Sequence, residues 1–276
     1  MGHRILYIPK PVLVADEFIS EWNMPTGNFT LPLITGFTYN FTVDWGDGSA
    51  LSTVTAYNDT DATHAYTAGT YQIKIKGQFP HFRINNGTVK TYLTKIIQWG
   101  NVGFTSFLYT FYGCSNLAVL PNSPITGCNA VITIAQAFQG CTGLTTIPTG
   151  FFDNLVNAKD FTATFYLCTG ISSIPTGLLD NCISAEVFTS MFRQTGLTSI
   201  PSGLLDNCPN VTTMSYMFYN STSLTGSSRL LWLNPSGSGI YTLTSPNYDS
   251  GVPDGLDCYR SCTGLSDYAT IPTFWK

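Results

Sequence analysis

A phenylalanine returns at a fixed interval along the middle of the chain. Phe111, Phe138, Phe165 and Phe192 are spaced by 27 residues, and Phe218 follows after 26. The copies read FYGCSNLAVLP from Phe111, FQGCTGLTTIP from Phe138, FYLCTGISSIP from Phe165, FRQTGLTSIP from Phe192 and FYNSTSLTG from Phe218, with a distant YRSCTGL at Tyr259. A second block recurs between them as PTGFFDN from Pro148, PTGLLDNC from Pro175 and PSGLLDNC from Pro201. Self-similarity at such a period marks a stacked repeat array. One unit cannot bury its apolar side alone, but adjacent copies bury it for each other.

Within each unit the spacing i, i+4, i+7 of Phe107/Phe111/Cys114, Ile134/Phe138/Cys141, Phe161/Phe165/Cys168 and Phe188/Phe192/Thr195 predicts a short helix with one apolar face. The Leu-x-x-Ile-Pro runs that follow predict a very short strand or an extended turn, which proline ends. Each buried Phe or Leu is worth about 1.5–3 kcal/mol before ordering entropy. A charge in such a column would repeat its desolvation cost in every copy, which explains why only 10% of the chain is charged.

Six of the eight cysteines follow the repeat. Cys114, Cys141 and Cys168 form one column, which continues as Thr195 and Ser221, while Cys128, Leu155, Cys182 and Cys208 form another. A position that accepts Cys, Ser, Thr or Leu reads as a small buried filler rather than a disulfide partner. Cys258 and Cys262 stand apart at i, i+4. Burial is preferred to pairing or metal ligation there, because no second Cys or His pair lies nearby in sequence.

The units FYGCSNL, FQGCTGLTTIPTG and VTTMSYMFYNSTSL resemble the BspA-like leucine-rich-repeat surface proteins, over residues 100–230 and again, divergently, over 255–276. That resemblance implies a right-handed solenoid used for adhesion or display, with no catalytic residues to carry over. The chain departs from it by losing Cys at Thr195 and Ser221 and by carrying a long insert. Upstream, Phe37 to Val43 and Thr70 to Lys76 read as strands. The pairing of DWGDGS from Asp44 with THAYTAGTY from Thr63 resembles the polycystic-kidney-disease (PKD) type β-sandwich over residues 25–80. Asp44, Asp47 and His64 are read as turn and packing residues, since the ligand series of a calcium loop is absent. Trp99 is expected to cover the open end of the first repeat.

Together these readings predict an α+β chain. It comprises an arm at 1–24, a small N-terminal antiparallel PKD-like β-sandwich with a bridge at 25–99, and a right-handed leucine-rich-repeat-like solenoid at 100–276. The solenoid is expected to have about five to six coils, an insert at 227–254 and a C-terminal cap at 255–276.

The chemistry-bearing patterns of nucleotide binding, zinc proteolysis and serine hydrolysis are missing. Asp153, Asp180 and Asp206 recur on successive units before Asn, which suits turn roles better than a glycosidase pair. The sequons at Asn28, Asn40, Asn58, Asn86, Asn210 and Asn220 are weak signals in so threonine-rich a chain. No enzyme activity and no cofactor or metal is expected. A net charge of -4 offers no basic footprint for nucleic acid.

The opening MGHRILYIPKPVLVADEF lacks the unbroken apolar core of a secretory leader, so it is expected to be mature sequence outside any membrane. The expected role is a virion structural or display protein of a bacterial virus: a capsid decoration, fibre or tail-associated protein at the virion surface. Its partners would be other virion proteins, bound through the arm at Ile5, Leu6, Tyr7 and Ile8, and a host-surface glycan or protein. A neutral surface is also compatible with a homo-oligomer. The alternative is an extracellular or cell-surface microbial adhesin.

Overall fold

The computed structural model describes residues 16–228 and 254–276. Seven strands form in chain order: β1 (Glu17–Met24), β2 (Gly27–Thr30), β3 (Asn40–Asp44), β4 (Ser52–Val54), β5 (Thr63–Tyr66), β6 (Gly69–Gln78) and β7 (Leu93–Gln98). Five of them make an antiparallel sheet of order β4-β3-β6-β1-β7, and β2 pairs with β5. Alternation decides which side faces in. Phe18, Ser20, Trp22 and Met24 of β1 are buried, as are Phe41 and Val43 of β3 and Ile73 and Ile75 of β6. The two sheets meet through Phe29 of β2, whose ring lies 5.1 Å from Trp22 and 6.5 Å from Trp45. The run ending in LTKIIQWG, expected as a bridge, carries the edge strand β7 of the larger sheet. Between that strand and the first repeat, the N–H groups of Ile96 and Ala118 donate to the carbonyls of Val119 and Thr94.

The repeats overturn the α+β expectation. Among the described residues there is no α-helix, only 3-10 turns of three or four residues such as Thr88–Thr91 and Tyr268–Thr270. The chain is mainly β. Its two sheets are open and neither runs through the repeats, so the predicted leucine-rich-repeat-like solenoid with a helix in each coil is corrected with it.

Backbone dihedrals give the reason. In every repeat the residue two before the aromatic column has a left-handed φ between 53° and 60°: Tyr109, Gln136, Ala163, Ser190, Tyr216 and Asp257. The residue two after it is left-handed as well: Gly113, Gly140, Leu167, Gln194, Asn220 and Ser261. Two left-handed residues four positions apart in each repeat stop helix propagation, at roughly 1–2 kcal/mol for each non-glycine. What it permits is lateral hydrogen bonding. Phe107, Tyr109, Phe111 and Gly113 donate their N–H groups to the carbonyls of Thr133, Ala135, Ala137 and Gln139, at 2.7–3.2 Å. The same four-bond pattern joins 134–140 to 160–166, 161–167 to 187–193, 188–194 to 213–219, and 214–220 to 254–260. The last step crosses the expected insert, of which 229–253 lies outside the described residues. The i, i+4, i+7 apolar spacing therefore survives on a chain of linked turns.

The aromatic column stacks across these repeats. Ring centroids are 5.1 Å apart for Phe111–Phe138, 5.5 Å for Phe138–Phe165, 5.8 Å for Phe165–Phe192, 5.8 Å for Phe192–Phe218 and 5.7 Å for Phe218–Tyr259. Both ends are closed. Phe82 lies against Phe111 at 5.4 Å while Ile84 and Asn86 donate to Thr110 and Tyr112. At the far end Tyr259 donates to the Trp275 carbonyl, and the two rings stack at 6.5 Å. Trp99 lies between the sheet and the repeats, 6.4 Å from Phe18, 6.0 Å from Phe107 and 5.8 Å from Phe151. The chain passes this junction at Gly100, where φ is +67° and a Cβ would run into the backbone of Glu17.

Candidate interaction surface

Linked turns that bury Phe and Cys bring most side chains of one other position, and some of a second, partly to the surface, while Gln139, Ala163 and Ser190 at these positions stay buried. The residue after the aromatic column is Tyr112, Gln139, Tyr166, Arg193, Tyr219 and Arg260 in successive copies. The position two before it adds Tyr109, Gln136 and Tyr216. The backbone ladder holds these side chains in register, so they meet those of the neighbouring copy. The Arg193 guanidinium carbon lies 5.1 Å from the Tyr166 ring centre on one side and 4.5 Å from that of Tyr219 on the other. It is also 5.7 Å from Tyr216, and Arg260 lies 5.7 Å from Tyr219. Tyr166, Arg193, Tyr219 and Arg260 thus form an alternating ring-and-guanidinium row. Nearer the sheet, Arg83 sits 4.5 Å over Tyr109, and Gln136 donates to Gln139 at 2.8 Å.

The row carries uncompensated positive charge. Arg260 is paired with Asp257 at 3.0 Å. No ion pair engages Arg83 or Arg193 among the described residues, and the Nε of each is buried without a hydrogen-bond partner. A planar guanidinium held between rings has lost much of its rotamer freedom in advance, so it can engage a planar acceptor at low entropic cost.

The remaining sequence candidates lie elsewhere. Ile5, Leu6, Tyr7 and Ile8 fall outside the described residues. Asp44 accepts from the Gly46 N–H at 2.9 Å and from Lys74 at 3.1 Å. Asp47 accepts from the Ser49 N–H at 3.0 Å and meets His64 at 2.7 Å. Those contacts, Ser49 foremost, hold the Asp47 carboxyl well below the usual carboxylate range. His64 stacks on Trp45 at 5.0 Å, as a packing residue does. Asp153, Asp180 and Asp206 each fold over the left-handed glycine of their own turn: Gly150, Gly177 and Gly203. The eight cysteines are free and buried, Cys258 and Cys262 included, and burial pushes the Cys168 and Cys262 thiols up to about 12. Among the described residues no group of three or more His, Cys, Asp or Glu is arranged to hold a metal ion, and no helix is long and apolar enough to cross a membrane.

The tyrosine–arginine row is absent from the sequence-derived candidates, although a trace of it is present there. The residue after the column Phe is never aliphatic or acidic in any copy.

No protein-family model and no curated protein matches the chain. Among solved structures it is similar to a leucine-rich repeat protein from Bacteroides ovatus ATCC 8483, at 14% identity over 70% of each chain and a TM-score of 0.20. A likeness at that level decides neither fold nor function.

Proposed function

We propose that this chain is a non-enzymatic display protein, with its N-terminal sheets as the mount and its repeats presenting the tyrosine–arginine row to a macromolecular partner. The row itself carries the reading. The stack does not need it for stability, since Gln139 occupies the same position between Tyr112 and Tyr166. Half-exposed tyrosine and arginine at successive repeats is the composition that binding surfaces favour.

The thiols support a setting. Eight cysteines, none in a disulfide, suit a protein assembled in a reducing cytoplasm. A virion protein of a bacterial virus combines such assembly with outward display, as a capsid decoration, fibre or tail-associated protein. Its attachment would then run through the arm at Ile5 to Ile8. Mass spectrometry of purified particles, with and without surface proteolysis, tests this. The expected result is recovery of the chain, with repeat peptides released by protease. Recovery instead from the surface of uninfected cells would make it an adhesin, and recovery only from the cell interior would end the display reading.

A further inference from the structure

We propose that the Tyr166–Arg193–Tyr219–Arg260 row binds an anionic polysaccharide through its carboxylates, with Arg193 as the principal contact. This deepens the display reading and rests on it.

Geometry selects the ligand. Arg193 is flanked by rings at 5.1 Å and 4.5 Å, its Nε is buried without a partner, and no carboxylate of the described residues neutralises it. The terminal amino groups of such a head form a fixed fork, which matches a carboxylate bidentately. The tyrosine hydroxyls beside it can exchange hydrogen bonds with sugar hydroxyls, as donor or acceptor. Tyr166, Arg193, Tyr219 and Arg260 come from four successive copies and lie within 4.5–5.7 Å of their neighbours in the row, so one extended chain can touch several copies at once.

Two other polyanions fit less well. Nucleic acid draws most of its affinity from many phosphate contacts at once, whereas this row offers two guanidinium groups, one of them paired with Asp257. An acidic peptide that adds as a strand gains its affinity from backbone pairing at an open edge. Here the N–H groups of Ser190, Phe192 and Gln194 are already taken by the carbonyls of Ser215, Met217 and Tyr219.

The test uses the full chain and titration calorimetry with polygalacturonate at low salt. Fully methyl-esterified polygalacturonate, polyglutamate and single-stranded DNA serve as comparators. Polygalacturonate is expected to bind, and its ester to bind at least tenfold more weakly. Arg193→Lys, which keeps the charge but loses the planar fork, is expected to lower the affinity about tenfold. Lys159→Ala, outside the row, is expected to leave it unchanged. Thermal melts of each variant check folding.

Equal binding of the ester, equal binding by Arg193→Lys, tighter binding of polyglutamate or DNA, or no binding by the wild-type chain would each overturn the assignment. Because the display reading is judged by recovery from particles, it can survive the loss of this one.

Discussion

The thiol of Cys141 donates to the carbonyl of Phe111, one repeat earlier, at 3.2 Å. Cys168 does the same to Phe138 at 3.0 Å, and Ser221 to Phe192 at 2.9 Å. The cysteine column is therefore a column of small donors, which explains why serine can replace cysteine in it. Cys141→Ser keeps the bond and is expected to lower stability by less than about 1.5 kcal/mol. Cys141→Ala loses both the bond and the sulfur's packing, at about 1–3 kcal/mol. Urea denaturation of the two variants checks the order; a more stable alanine variant would show that the hydrogen bond contributes nothing.

Thiol chemistry offers a second check. Nucleophilic attack needs thiolate, and burial holds the Cys128 and Cys208 thiols up at about 12, with Cys141 raised well above its ordinary value. In the native chain at pH 8 none of the eight cysteines is expected to react with an aromatic disulfide reagent over minutes. All eight should react in denaturant without prior reduction. Fewer than eight in denaturant would reveal a disulfide.

The left-handed position after the column is glycine in two copies and glutamine at Gln194, where φ is 54°. Removing a Cβ from that conformation relieves about 1–2 kcal/mol, against about 0.5–1 kcal/mol of extra freedom in the unfolded chain. Gln194→Gly should therefore raise the melting temperature slightly. Gly140→Val, at φ +72°, should lower it by several degrees, because a β-branched residue is strained there. A stabilising Gly140→Val would contradict the assigned turns.

His81 is buried, with its Nε2 at 3.1 Å from the Leu108 carbonyl and Phe37 edge-on at 5.0 Å. Burial lowers its pKa from 6.5 to about 4. The unfolded chain thus binds a proton that the folded chain refuses between those values. The stability due to neutral His81 is complete above pH 6.5 and is lost as pH falls toward 4, by roughly 3 kcal/mol. Urea midpoints measured at pH 7.5, 5.5 and 4.5 should fall more steeply for the wild type than for His81→Phe. Parallel curves would place the titration elsewhere.

Much of this was legible in the residues. The 27-residue period, the buried Phe and Cys columns and the two halves of different texture follow from spacing alone, because apolar side chains at fixed intervals must be buried by their neighbours. Strand β6 was readable in the alternation of TYQIKIK. The spacing i, i+4, i+7 could not distinguish a helix from turns reset by left-handed residues, since both put the same side chains on one face. Tyr109, Gln136, Ala163 and Ser190 give no warning of positive φ, a role usually marked by glycine or asparagine.

Those conformations are set by what lies one copy away. At the positions two before and two after the aromatic column, each left-handed residue from Tyr109 to Asn220 is compensated by its N–H, bonded to the next repeat, and by rings stacked at 5.1–5.8 Å. That partner is dozens of residues distant and invisible to local pattern. The row of Tyr166, Arg193, Tyr219 and Arg260 has the same origin. Its residues are legible singly in every copy, but their alternation in space is decided by the register of the stack. Spacing along the chain was enough to place the apolar columns in the interior, while hydrogen bonds between copies set the backbone path and the face it presents.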